Sequence, residues 1–365
     1  MAISFVAVLV LIIYILILYP LSLKFRRVGP AIQKKEYTPE VTVVLACRNG
    51  ARHIAAKLDS LRELDYPADL LRVLVVSDGS TDETDNIVER YSQRDKRIEL
   101  IRVPAGGKSA ALSAGIARAD GEILLMTDVR QALAKDSLRQ LTSVLSDATV
   151  GVVSGELQIR SGATQGEANV GMYWRFECWL RLRLSRIDSI FGASGSIYAM
   201  RRSLVKKIPD EILLDDMYLP LNAYFAGYRL VVEPGAIAWD EPSGGKTEFR
   251  RKVRTLAGNY QLLRHYPQLL MPWGNRMWLD FMSYKMGRLV LPHLLIALGV
   301  LTFWLPEPWR LPIGSAQVAG YGLALIDVRV KEGTGLKKVS SAARTFVEMM
   351  AAAFCAQSIA FIPAR

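Results

Sequence analysis

The sequence predicts an α/β protein: a Rossmann-like, mostly parallel sheet in the middle of the chain, with transmembrane α-helices at both ends. Four stretches between Val41 and Asp128 repeat one rhythm: VTVVLACRN, LRVLVVSDGSTDET, RIELIRVPAGGKSAAL and GEILLMTDVRQ. Each is a short run rich in Val, Ile and Leu, closed by a polar or glycine-containing turn and followed by helix-like sequence. Continuous apolar strands alternating with helices are what a parallel sheet buried on both faces requires. The other observation is hydropathy. Hydrophobic residues make up 51% of the chain, and Ala2 to Leu23 carries no charge at all. At about 1.5 Å per residue that stretch crosses a hydrocarbon core of roughly 30 Å.

Taken in order, the first segment (1–24) reads as a retained membrane helix. A cleaved signal would have its basic residues before the apolar run, whereas Lys24, Arg26 and Arg27 follow it. Residues 25–40 are a charged, proline-bounded tether, and 41–270 form the soluble domain. Residues 271–365 hold interfacial sequence and about three further helices, from the apolar blocks Leu289–Leu305, Leu311–Ile326 and Phe346–Ile362. Basic residues cluster after the first span (Lys24, Arg26, Arg27, Lys34, Lys35) and between the third and fourth blocks (Arg329, Lys331, Lys337, Lys338, Arg344). The positive-inside rule puts both clusters, and the soluble domain, on the cytoplasmic side of a multi-pass protein of the cell or inner membrane.

Ligands in such sheets sit beyond the carboxyl ends of the strands, where strand order reverses. Asp78 ends one strand, Lys108 opens the helix after the next, and Asp128 follows the one after that, so all three should face one rim. Gly79 gives the turn after Asp78 close backbone approach, and Asp82 suits a helix cap. Gly106-Gly107-Lys108-Ser109 is not a P-loop, because Arg102 stands where that pattern needs glycine. Two glycines at a helix start with a lysine still suit an anion. Asp215 and Asp216 open a helix running through Phe225. Paired carboxylates there favour the helix dipole, and they are also groups able to take a proton.

These motifs, in this order, resemble the inverting glycosyltransferases of family 2 with the GT-A fold, the group that includes cellulose, chitin and hyaluronan synthases. SDGSTD (77–82) is similar to that family's nucleotide-binding element, GGKSAALSAGI (106–116) to its GGK-helix segment, TDVR (127–130) to its DxD metal motif, and LDDMYL (214–219) to its ED catalytic motif. The resemblance implies a nucleotide-sugar donor, most simply a UDP-sugar, and a lipid-linked or glycan acceptor. It places Arg48 and Asn49 at the nucleobase, with local capping as the other reading of Arg48. Asp78 and Gly79 would meet the nucleotide, Lys108 the diphosphate, and Asp128 a Mg²⁺ or Mn²⁺ ion. The second DxD carboxylate is replaced by Arg130. Either Asp128 holds the metal alone, or Arg130 stands in for part of the cation by pairing with phosphate. Asp216 would be the general base and Asp215 the neighbour that tunes it. Where synthases carry QxxRW, this chain has Arg251, Arg254 and Thr255. The arginine at Arg254, with Arg251, remains available to a diphosphate, and the lost tryptophan weakens processive synthesis.

A non-catalytic nucleotide- or glycan-binding subunit of a polysaccharide synthesis or export complex is the alternative, and Asp216 separates the two. The formal charge of +11 could suggest nucleic acid. Much of the excess instead flanks the apolar spans, where membrane lipid headgroups attract it, and no nucleic-acid-binding motif is present. Cys47, Cys178 and Cys355 are too scattered for a zinc or disulfide framework, and His53, His265 and His293 support no histidine-based hydrolase.

Overall fold

The structure is a computed structural model of the 365-residue chain and describes residues 1–159, 165–240 and 245–360. In chain order its elements are α1 (Ala2–Ser22), β1 (Val41–Cys47), α2 (Ala51–Arg62), β2 (Leu71–Asp78), α3 (Thr84–Arg94), β3 (Ile98–Val103), α4 (Lys108–Arg118), β4 (Ile123–Met126), β5 (Ala132–Leu133), α5 (Ser137–Leu145) and β6 (Val150–Ile159). They continue with α6 (Gln165–Ile187), β7 (Tyr198–Arg201), α7 (Asp215–Phe225), β8 (Arg229–Asp240), α8 (Gly245–His265), α9 (Trp278–Thr302), α10 (Arg310–Ile326) and α11 (Gly335–Ala360). The chain divides into two compact units. One comprises residues 27–160 and 181–241, the other 1–26, 161–180 and 242–365.

The first unit is built on an eight-stranded sheet of order β3-β2-β1-β4-β7-β6-β8-β5. β1 pairs in parallel with both β2 and β4, and β2 with β3. Sequence order therefore reverses at β1, and the reversal puts the loops after β1, β2 and β4 side by side. The far half is mixed. β7 runs antiparallel to β4 and β6, β8 is parallel to β6, and β5 is antiparallel to β8. Burial explains the apolar runs: Val41 through Leu45 and Val73 through Val76 are all inside. Helix α2 turns Ile54, Lys57, Leu58 and Leu61 to the core, the i, i+3, i+4, i+7 face of a helix lying on a sheet. Helix α4 lies so close that a Cβ on Gly115 would meet Val44 Cγ1 at 2.7 Å and Val76 Cγ2 at 2.8 Å.

The second unit holds three helices long and apolar enough to cross a membrane, among the described residues: Ala2–Ser22, Trp278–Thr302 and Arg310–Arg329. The second begins earlier than Leu289, because Trp278 to Gly287 continues the same helix through a π-turn at Phe281–Met286. The block Phe346–Ile362 falls in α11, which is not among the three, and its residues 361 and 362 lie outside the described residues. Helix α1 has its own π-turn at Tyr14–Leu18. The two irregular segments meet: Tyr14 Oη lies 2.8 Å from Ser283 Oγ, and Tyr19 donates to Asp280 at 3.2 Å. Arg26 pairs with the same buried Asp280. Phe5, Ile12, Leu291, Leu298 and Leu305 form the apolar contact beyond.

Candidate active site

The site lies in the sheet unit. Asn49, after β1, has φ +51°, a left-handed conformation that asparagine tolerates better than most residues. Its amide donates to Ser80 Oγ (3.1 Å), its side-chain oxygen accepts from Thr81 N (2.8 Å), and Asp82 accepts from Ala51 N (3.1 Å). The loops after β1 and β2 are thus stitched together, with Arg48 exposed beside them. Asp82 also accepts from Thr84 N at the start of α3, as a capping carboxylate does.

Asp78 is buried and its carboxylate accepts from Gly106 N (2.7 Å) and Gly107 N (3.0 Å). The glycine amides that suit an anion are therefore already engaged by an anion of the chain itself. Gly79 sits at φ +59°, and a Cβ there would meet Ala105 N at 2.9 Å, so the turn excludes any side chain. Asp78 and Gly79 together set the approach to α4.

Lys108, the first residue of α4, reaches two carboxylates: Nζ lies 2.9 Å from Asp128 Oδ1 and 3.2 Å from Asp215 Oδ1. Burial works against its charge, but Asp215, Asp128 and Asp216 more than offset this and hold its pKa well above the ordinary lysine value. Ser109 Oγ donates to Ile212 O (2.7 Å), fixing α4 to the segment that leads into α7. Asp215 is buried and Asp216 partly exposed. A Cβ on Gly195 would stand 3.2 Å from Asp216 Oδ2 and 3.4 Å from Asp128 Oδ2, so these two oxygens border one small space kept open by a glycine. The turn carrying Gly195 is held by Ser194 N to Ser154 Oγ (2.9 Å), Thr127 Oγ1 to Ser196 O (2.6 Å) and Ala193 N to Asp216 O (2.7 Å).

Arg130 pairs with Asp240, which also accepts from Gln131 Nε2 (3.1 Å). The residue at the second DxD position is thereby tied to the end of β8. Arg251 and Arg254 lie on α8, in the other unit, and both are exposed.

Three features of the site go beyond the motif residues named singly. Gly195 is one, although GASGSIYAMRRS (192–203), the stretch that holds it, resembles the family's small-residue turn below the acceptor. Tyr198 is another: fully buried on β7, its hydroxyl has no hydrogen-bond partner among the described residues. Burial, then the charges of Asp215, Asp216 and Asp128, hold its phenol well above its ordinary pKa. The third is Lys57, 1% exposed, whose Nζ donates to Thr127 Oγ1 (2.6 Å) and Gln131 O (2.6 Å). Burial pushes its pKa down to about 7 against the pull of Asp128. Its sequence signal is a lysine on the apolar stripe of α2.

Among the described residues no cluster of three or more His, Cys, Asp or Glu could hold a metal ion unaided. Asp128 and Asp216 nonetheless offer hard oxygen donors to one shared space. Three carboxylates facing one ammonium leave negative charge that a divalent cation would balance. Mg²⁺ or Mn²⁺ held through one or two carboxylates, with phosphate oxygens and water completing the shell, fits this donor set.

A parallel-sheet switch point with a lysine and acidic residues on its rim is the position at which α/β proteins bind their ligands. Residues 42–209 match the family described as Glycosyl transferase family 2. It is similar to "Probable glycosyltransferase YdaM" of Bacillus subtilis (strain 168), 28% identical over 248 residues, covering 63% of this chain and 58% of that protein. "Beta-monoglucosyldiacylglycerol synthase" of Synechocystis sp. is 24% identical over 287 residues, covering 73% and 58%. The chain thus aligns with 58% of the length of these curated relatives. Among solved structures, the mannosyltransferase PcManGT from Pyrobaculum calidifontis, in complex with GDP-Man and Mn²⁺, matches 98% of this chain and 97% of its own with a TM-score of 0.76 at 24% identity. The shared fold is GT-A.

Proposed function

We propose that the protein is a membrane-anchored inverting glycosyltransferase. It moves a sugar from a nucleotide-diphosphate donor to a lipid-linked or polysaccharide acceptor in a single displacement. The observation that carries this reading is the convergence of Asp128, Asp215, Asp216 and Lys108 around the space at Gly195.

The roles follow from charge and access. A leaving nucleoside diphosphate carries concentrated negative charge, and Lys108 can exchange its carboxylate partners for phosphate oxygens. Asp128 would hold the divalent ion, which when bound neutralises the diphosphate as the glycosidic bond breaks. Asp216, the more accessible of the acidic pair, takes the proton from the acceptor hydroxyl as that oxygen attacks the anomeric carbon. Asp215 stays buried beside Lys108 and tunes its neighbour. Asp78 serves the nucleotide by holding the Gly106–Gly107 turn, and Arg48 and Asn49 face the nucleobase.

Three helices of membrane-crossing length support anchoring, and the basic residues beside them support a cytoplasmic catalytic domain. A relative named for a glycosyldiacylglycerol product supports a lipid acceptor. The family resemblance favours a UDP-sugar, while the structural neighbour holds GDP-Man, so both donor series belong in the test.

The decisive experiment screens the full chain in detergent against UDP- and GDP-sugars with Mn²⁺ or Mg²⁺, reading nucleotide release. We expect one donor to be turned over. Asp216→Asn should then lower turnover by about a hundred- to ten-thousandfold, with nucleotide affinity retained. No release from any donor by folded protein would favour a binding subunit, and full turnover by Asp216→Asn would remove the base assignment.

A further inference from the structure

Lys57 sits at a position where α2 otherwise presents Ile54, Leu58 and Leu61 to the sheet, and it is as buried as they are. Lysine is rarely enclosed in this way without a carboxylate at ion-pair distance. Here Nζ instead meets two neutral oxygens, Thr127 Oγ1 and Gln131 O, each at 2.6 Å. Those two residues are the ends of the loop that carries Asp128 and Arg130. Thr127 passes the contact on, donating to Ser196 O at 2.6 Å and so to the turn that bears Gly195. An apolar residue of similar length would fill the same space at lower cost, so packing does not explain the amine.

We propose that Lys57 is a positioning residue: its buried Nζ, donating to both Thr127 and Gln131, clamps the two together and thereby fixes the direction in which Asp128 presents its carboxylate to the metal–diphosphate. The inference rests on the donor-binding reading given above. The clamp acts from beneath the loop and touches neither donor nor acceptor. It joins α2, the β4 loop and the Gly195 turn into one support beneath the space that Asp128 and Asp216 share.

The test compares wild type with Lys57→Met, which keeps chain length and apolar volume but removes the donors. Three quantities are measured on the full chain in detergent. These are Mn²⁺-dependent affinity for UDP and for GDP by calorimetry, metal-free nucleotide affinity, and the melting temperature without ligand. Partners that orient a metal-binding carboxylate typically account for 10- to 100-fold in metal affinity. We therefore expect Mn²⁺-dependent affinity to fall at least about tenfold, metal-free affinity to change little, and the melting temperature to hold or rise. Unchanged Mn²⁺-dependent affinity would overturn the proposal. So would a loss of affinity matched by a lowered melting temperature, because that is the signature of a merely structural residue. Should Lys57→Met not fold, Thr127→Val removes one of the two acceptors, and an unaltered Mn²⁺ response in that variant is equally fatal. Wild type that binds neither UDP nor GDP with Mn²⁺ would instead defeat the donor-binding reading itself.

Discussion

The phenol of Tyr198 is buried without a partner among the described residues, and such a hydroxyl costs about 1–3 kcal/mol. Tyr198→Phe removes the oxygen and little else, so ligand-free stability should rise by about 1 kcal/mol, read as a higher denaturation midpoint. Lys57 makes a pH prediction whose sign can be worked out. In the unfolded chain its amine holds a proton up to about 10.5, in the folded chain only up to about 7. Between those values the unfolded state binds more protons, so stability rises with pH across the window and the penalty is fully present below it. Urea midpoints at pH 7 and pH 9 should differ in wild type, and Lys57→Met should flatten the difference. At this scale the sequence was partly legible. Lys108, Asp128, Asp215 and Asp216 could be singled out because each follows a strand or opens a helix, where side chains face a rim. Gly195 was legible only as part of the small-residue turn at 192–203, and Tyr198 and Lys57 not at all, since their meaning lies in contacts made by distant segments. The stitching of Asp78 to Gly106 and Gly107 was hidden for the same reason.

Among elements, α4 depends on the absence of a side chain. Gly115→Ala would bring its new carbon against Val44 and Val76 at distances that force the helix off the sheet. Overpacking of this kind costs about 1–3 kcal/mol, and because α4 begins at Lys108 the same variant should bind nucleotide more weakly. A calorimetric titration paired with a melting curve checks both, and unchanged values in each would show that the helix shifts freely. The parallel half of the sheet was readable because β1 to β4 are apolar runs that local periodicity reveals. The antiparallel insertion of β7 between β4 and β6 was not, since four residues of β7 and two of β5 carry almost no periodic signal and their places are fixed by long-range pairing.

For the whole molecule, the proposed topology follows from three apolar helices and the basic residues beside them. If α1 leads into the cytoplasm, α9 leads out and α10 returns, so exposed Pro306 should lie outside and exposed Gly333 inside. Reporter insertions at these two points should give opposite readings, and an outside signal at Gly333 would remove one crossing. The apolar blocks were visible from hydropathy alone. The earlier start of α9 was not, because Asp280, Lys285 and Arg288 interrupt the apolar run.

The pairing of Arg26 with Asp280 also sets an order of events during synthesis. The two residues are 254 positions apart, and at about 5–20 residues per second the ribosome needs roughly ten to fifty seconds to make the second after the first. If α1 crosses the bilayer as proposed, it resides there through that interval before α9 is made, with lipid on the face that α9 later covers. An uncharged segment can wait there; a helix bearing an acidic group of its own could not do so at equal cost. The acid belongs to α9, the later-made partner, and Tyr19 and Arg26 are already in place when it arrives.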